Sequence, residues 1–247
     1  MIRPPAASPL VLVVSLALAA CNGSGGGAPG GSGGSGASSA GSGAAGPGVG
    51  GAGNGSASSA TTSTGVTSGS VGAGGSTAFV CDPPAAPGSI YEHSAESYDI
   101  DQIDPVSMCK YRGQVALVVN TAAKCGYTPQ YAPLEALEAK YKADGLHVLG
   151  FLSNDFAQAG TEDDIEKCTM QYGVTFEQFA LVHVKIGADQ HPLFKWLTTR
   201  PGLEGDVSWN FNKWLVGRDG TLVARWSQGT EPDAPAVVAA IEAELAK

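Results

Sequence analysis

Of the five cysteines in this 247-residue chain, Cys125 is the one placed for reactivity. It follows a short apolar, β-branched run, Gln-Val-Ala-Leu-Val-Val-Asn at 114–120, and precedes Thr128-Pro129. The run reads as a central strand. Thr followed by Pro reads as a helix start, with Thr128 as N-cap and Pro129 at the first helical position. The thiol is therefore expected in the loop just ahead of a helix N-terminus, where unpaired N–H groups and the positive end of the helix dipole favour ionised sulfur. A thiolate, not a thiol, is the nucleophile in sulfur chemistry. The histidines (His93, His147, His183, His191) form no metal-spaced pair, and no Cys-x-x-Cys exists. Neither a metal nor a cofactor is expected, and the histidines read as structural or surface groups.

The elements that must position this thiol alternate. A hairpin is expected over 90–103, then the strand at 114–120. A helix follows over 129–142, with Tyr131, Leu134, Leu137 and Tyr141 on one face, closed by Gly145. Leu-His-Val-Leu-Gly-Phe at 146–151 reads as a second buried strand. Thr161-Glu-Asp-Asp164 opens a short helix carrying Cys168. A strand near 180–186 and a helix near 191–197 come next. Residues 213–216 and 221–226 flank Gly217-Arg-Asp-Gly220, whose Asp-Gly pair marks a hairpin turn. The last helix, from about Ala234, carries Val237, Val238, Ile241 and Leu245 on one face. This order specifies an α/β fold, a mixed sheet with helices on both faces.

The domain is preceded by segments of another character. Residues 1–20 have Arg3 and an apolar run from Leu10 to Ala20, the length of a signal peptide and too short to span a bilayer. They end in Leu18-Ala19-Ala20-Cys21, which resembles the lipobox of bacterial lipoproteins. Cys21 is the expected acylated residue, anchoring the chain to the envelope, with Asn22 favouring the outer membrane. Residues 21–77 are almost wholly Gly, Ser, Ala and Thr. They are expected to form a disordered tether, since they cannot bury enough apolar surface to offset ordering. Such a coil spans roughly 40 Å root-mean-square. Residues 78–247 form one domain with room for a core. The formal net charge of −9 argues against nucleic acid as a partner.

Four ordered blocks carry a family resemblance. Residues 114–131 around Cys125 resemble the peroxidatic-cysteine motif of glutathione peroxidases. Tyr172-Gly-Val-Thr-Phe176, His191-Pro-Leu-Phe-Lys-Trp-Leu197 and Trp209-Asn-Phe-Asn-Lys-Trp-Leu-Val216 match further blocks in sequence. The resemblance implies a thioredoxin-like fold and thiol-dependent reduction of hydrogen peroxide or of organic and lipid hydroperoxides. Cys125 would be the nucleophile, and Trp209 and Asn210 would donate hydrogen bonds beside it. Cys168 matches the resolving cysteine of members that use thioredoxin-like donors, with glutathione as the other candidate reductant. The short loop between His191 and Trp209 resembles that of monomeric members open to bulky hydroperoxides.

One family position departs from the pattern. Asp155 stands where a Gln normally donates to the sulfur, and an ionised carboxylate there would oppose the thiolate. Weakened activity is expected unless Asp155 is protonated, points away, or is replaced in its role by Gln158. Cys81 and Cys109 lie outside the family motifs, and in an oxidising compartment they are most simply a structural disulfide. Two other classes remain open from sequence: a thioredoxin-like thiol–disulfide or metal-delivery lipoprotein, and a non-catalytic binding module.

Overall fold

The structure is a computed structural model that describes residues 81–247. The leader at 1–20, the acylation candidate Cys21 and the linker at 21–77 lie outside the described residues.

A five-stranded sheet is the frame. Its strands are β3 (Val115–Thr121), β4 (Leu146–Leu152), β5 (Glu177–Phe179), β6 (Lys213–Val216) and β7 (Leu222–Trp226), in the order β5-β4-β3-β6-β7. β3, β4 and β5 run parallel, and β6 and β7 are antiparallel additions. A two-stranded ribbon, β1 (Ser94–Ala95) and β2 (Val106–Ser107), precedes it. Four helices complete the domain: α1 (Tyr131–Tyr141), α2 (Glu162–Tyr172), α3 (Pro192–Thr198) and α4 (Pro235–Leu245).

The period of two along β3 and β4 divides the interior into two cores. Ala116, Val118, Leu149 and Phe151 face one side, where α3 supplies Leu193, Phe194, Trp196 and Leu197. Val115, Leu117, Val119, Leu146 and Val148 face the other, against Leu134, Leu137 and Tyr141 of α1 and Val237 and Ile241 of α4. All of β3 is buried, as a central parallel strand covered on both faces must be. The α/β thioredoxin-like arrangement expected from sequence is the one observed.

Three local expectations need correction. The ribbon is anchored at 94–95 and 106–107, and not over 90–103. Residues 90–92 form a single 3-10 turn, and the segment 99–104 is a turn in which Asp99 accepts from the Asp101 N–H and Ser97 from the Asp99 N–H. Short acidic side chains that bond their own backbone favour turns over ladders. The strand expected near 180–186 is instead β5 at Glu177–Phe179. The N–H groups of Val184 and Lys185 donate to the Asp155 carboxylate, so no ladder claims them. The helix expected from Pro129 begins with a 3-10 turn, Thr128–Gln130, and becomes α-helical only at Tyr131.

Cys81 and Cys109 are joined as a disulfide with Cα atoms 5.6 Å apart, 28 residues apart in the chain. It ties the start of the described chain to the 3-10 turn Met108–Tyr111. Closing such a loop stabilises by roughly 3 kcal/mol in the chain-entropy model. A Cys81→Ser, Cys109→Ser double variant should melt roughly 6–12 °C lower by calorimetry, with the reactivity of Cys125 unchanged. An unchanged midpoint would show that the crosslink constrains nothing that the core does not already hold.

Candidate active site

Three loops meet at Cys125. The first is its own. Cys125 is fully buried at the C-terminal end of β3, packed in the apolar cluster that includes Tyr131 and Phe211. The Thr128 hydroxyl accepts from the Cys125 N–H at 3.0 Å and donates to the Ala122 carbonyl at 2.9 Å. The Thr128 N–H donates to the Cys125 carbonyl at 3.0 Å. Thr128 therefore clamps the cysteine loop and does not cap a helix, as the sequence suggested; the cap position of the 3-10 turn falls to Tyr127. The Tyr127 N–H points at the Cys125 Sγ, 3.4 Å away. A backbone donor from the start of a helical turn thus faces the sulfur.

The second loop is the turn at 209–212. Asn120, buried at the end of β3, holds it with both ends of its carboxamide. Its Nδ2 donates to the Trp209 carbonyl at 3.0 Å, and its Oδ1 accepts from the Asn212 N–H at 2.9 Å. The Asn120 carbonyl accepts from the Phe211 N–H at 2.6 Å. Phe211 is buried with φ at 65°, a left-handed conformation that costs a non-glycine residue about 1–3 kcal/mol. Its carbonyl takes a hydrogen bond from the buried Lys213 Nζ at 2.8 Å. Burial lowers the Lys213 pKa to about 8, against a smaller opposing pull from Glu231. The strain is placed where it aims two neighbours: Trp209 packs on the Cys125 cluster, and the Asn210 side chain points to the third loop.

That third loop, 154–159, lies against the cysteine loop. The Gln158 carbonyl accepts from the Lys124 N–H at 2.9 Å, and the Ala159 carbonyl from the Ala123 N–H at 3.0 Å. The Gln158 Oε1 accepts from the Asn210 Nδ2 at 3.0 Å. That bond orients the Gln158 carboxamide and leaves its NH₂ as a donor. Phe156 packs on Trp209 with ring centroids 5.0 Å apart.

Asp155 is turned the other way. Its Oδ1 pairs with the His183 Nδ1 at 2.8 Å, and its Oδ2 accepts from the N–H groups of Val184 and Lys185 at 2.6 and 2.9 Å. Partial burial opposes its ionisation, but the Lys185, His183 and Val184 donors outweigh this and hold its pKa below the usual carboxylate range. Its carboxylate is occupied by the 183–185 segment. The expected conflict between Asp155 and the sulfur does not arise in this geometry.

Cys168 is buried on α2 in a separate small cluster with Ala123, Leu152 and Ile165. Its Sγ lies 3.5 Å from the Ala123 carbonyl, two residues before Cys125, and the two thiols are not bonded to each other. α2 buries only Ile165 and Cys168, whereas α1 buries five side chains. It buries fewer side chains than α1, α3 or α4.

Asn120 and Thr128 escaped the sequence reading as site residues. A carboxamide inside an otherwise apolar strand was the available signal for Asn120, because a buried polar group must find partners.

The Asp155–His183 pair has a definite pH signature. Its carboxylate contribution is present above the ordinary Asp pKa and is lost as pH falls through the depressed value. The hydrogen bond to Asp155, its charge adding to it, raises the His183 pKa. The imidazolium contribution is therefore present below about pH 6.5 and lost as pH rises through the raised value. A proton NMR titration should find His183 above its ordinary pKa. Asp155→Asn should return it toward that value and speed amide exchange at Val184 and Lys185.

A family profile for glutathione peroxidase matches residues 90–198. The glutathione peroxidase of Lactococcus lactis is 45% identical over 135 residues, covering 53% of this chain and 85% of that protein. The "hydroperoxy fatty acid reductase gpx1" of Synechocystis is 42% identical over 159 residues, covering 60% and 92%. The "thioredoxin/glutathione peroxidase BtuE" of Escherichia coli is 36% identical over 174 residues, covering 60% and 94%. Among solved structures, the apo form of Trgpx superposes with a TM-score of 0.52 at 35% identity, covering 64% of this chain and 97% of that one. The T. cruzi GPX1 structure superposes with a TM-score of 0.51 at 29% identity, covering 64% and 97%. With the ordered motifs and the thiol loop in place, these similarities make the chain a member of the glutathione peroxidase family.

Proposed function

We infer that this protein is a thiol-dependent peroxidase whose reacting atom is the Cys125 sulfur. The observation that carries the assignment is the Tyr127 N–H aimed at the Cys125 Sγ, beside a loop whose Gln158 carbonyl holds the Lys124 N–H and whose Gln158 side chain takes a hydrogen bond from Asn210. In the first step the Cys125 thiolate attacks the outer oxygen of a hydroperoxide. The S–O bond forms, the O–O bond breaks, and the alkoxide or hydroxide leaves with a proton to become an alcohol or water. The sulfur is left as sulfenic acid. Donors fixed before the reaction cost no reorganisation as negative charge moves to the departing oxygen. Gln158 takes the amide role that Asp155 cannot fill, and Trp209 and Asn210 complete the donor set.

In the second step the Cys168 thiol attacks the sulfenic sulfur, a disulfide forms and water leaves. The Cys168 Sγ must first give up its place against the Ala123 carbonyl, because a disulfide requires close Cα approach. The small apolar burial of α2 supports this reading. A dithiol of thioredoxin type then returns two electrons, with glutathione as the other donor class. The names of the Synechocystis and Escherichia coli relatives support lipid hydroperoxide as substrate and thioredoxin as donor.

We further propose that the enzyme acts as a monomer. It is anchored to the bacterial envelope by acylation at Cys21, with residues 22–77 as its tether. The leader composition and the small residues before Cys21 support this.

Mass spectrometry after one equivalent of peroxide tests the cycle. Wild type should carry a Cys125–Cys168 crosslink, and Cys125→Ser should consume no peroxide. Cys125 sulfinate with Cys168 untouched would refute the resolving step. Gln158→Ala should slow Cys125 oxidation at least tenfold, as loss of one hydrogen bond to a charged group, about 1.5–3 kcal/mol, requires. Asp155→Gln should bring no gain in rate, since position 155 faces the 183–185 segment. A faster Asp155→Gln enzyme beside an unaffected Gln158→Ala enzyme would return the amide role to position 155.

A further inference from the structure

We propose that the loop at 98–104 is the docking element for the protein dithiol that reduces the Cys125–Cys168 disulfide. Ile100 and Ile103 make the apolar contact, inside an acidic rim. This rests on the resolving role given to Cys168 above.

Three observations place the loop at that task. Tyr98 packs directly on the small cluster that holds Cys168. Burial, and then the charges of Glu162 and Glu166 on α2, raise the Tyr98 hydroxyl pKa. Two residues further on, Ile100 is 93% exposed and Ile103 87% exposed, the two most exposed large apolar residues among those described. Single exposed isoleucines need no explanation, but two at such exposure on one short loop beside a redox cysteine form a contact pair.

The backbone hydrogen bonds at the base of the loop run to the sheet. The Tyr98 N–H donates to the Gln178 carbonyl, the Ala180 N–H donates to the Glu96 carbonyl, and Ser97 bridges Phe179. These bonds hold it along the edge strand β5. When α2 opens to deliver Cys168, the loop keeps its position and presents Ile100 and Ile103 next to the exposed disulfide.

Charge and chemistry select the occupant. Asp99, Asp101 and Asp104 interleave the isoleucines, and Glu162 and Glu166 of α2 stand near Tyr98, while Asp163 is paired with Lys167. A partner with an apolar surface around its thiol and a basic rim fits this patch, whereas an anionic membrane surface is repelled by it. The exchange balances with a dithiol alone. Its thiolate attacks the Cys168 Sγ, a mixed disulfide forms, and Cys125 leaves as thiolate. Its second thiol then breaks the mixed disulfide and releases Cys168. Two electrons and two protons pass from donor to enzyme.

The test compares full-length wild type with an Ile100→Ser, Ile103→Ser variant. Both side chains are solvent-exposed, so the variant should fold normally. Peroxide oxidation of Cys125 and formation of the disulfide should be unchanged by stopped flow and mass spectrometry. Reduction of that disulfide by a bacterial thioredoxin should slow about tenfold, while reduction by dithiothreitol is unaffected. The thioredoxin rate on wild type should also fall as salt rises from ~0.05 to ~0.5 M. Equal thioredoxin rates for both proteins overturn the docking role alone. Absence of the Cys125–Cys168 disulfide from peroxide-treated wild type overturns the resolving role and the docking with it. Loss of vesicle binding, or of a concentration-dependent dimer, in the variant with thioredoxin reduction intact would assign the pair to a membrane or to a second copy instead.

Discussion

The site rests on the carboxamide of Asn120. It lies at the end of a strand buried on both faces, where water cannot satisfy it, and it is satisfied by the backbone of another loop. The hydrogen bonds from its side chain and main chain fix Trp209, Phe211 and Asn212 relative to the strand that leads to Cys125. Removing one partner of such a set leaves buried polar groups unpaired, which costs about 1–3 kcal/mol for each. The left-handed Phe211 and the desolvated Lys213 are tolerable only because this network over-determines the turn. Local strain is thereby converted into a fixed direction for Asn210.

Around that rigid centre the domain distributes stability unevenly. β3 and α1 are buried deeply on both sides of the thiol. α2, which carries the second thiol, is held by a capping box at Thr161 and Asp164, the Lys124–Asp164 pair, the Gln178–Thr169 hydrogen bond, the stacking of Tyr172 on Tyr131 and little apolar area. In the proposed cycle Cys125 must stay in place while charge moves on its sulfur, and Cys168 must travel. The two requirements conflict within one rigid element, and here they fall on elements of different burial. The Cys81–Cys109 disulfide sits in the N-terminal segment, in the core on the α3 side of the sheet, and neither of its cysteines enters the redox site.

Asp155 and Gln158 lie three residues apart in one loop and are turned to different partners. A carboxylate accepts hydrogen bonds and an amide can donate them, so the two are not interchangeable toward a thiolate. The loop therefore turns Asp155 to three donors in the 183–185 segment and brings Gln158 to Asn210. Phe156, between them, packs against Trp209 on one side and lies under the Lys185 ammonium on the other. The segment that Asp155 fastens is thus a wall of the site, and the substitution at position 155 is a change in how that wall is held.

Much of this was written in the order of residues. The apolar runs before Cys125 and at 146–151, the Thr161–Asp164 helix start and the Asp-Gly turn are local patterns. Each carries its own physical cause, so the α/β class, the thiol loop and the two-faced core could be read without coordinates. The ordered blocks around Cys125 and Trp209 supplied the family. What sequence could not decide were the directions of polar side chains. Whether Asp155 faced the sulfur, whether Thr128 capped a helix or clamped a loop, and what Asn120 held all depend on groups distant in the chain. The residues Asp155 and Asn120 bind are 28 to 92 positions away. Hydrogen bonds are directional and short, so their partners are chosen only when the tertiary fold brings donors and acceptors within about 3 Å. That choice, and not residue type alone, set where the Asp155 and Asn120 side chains point.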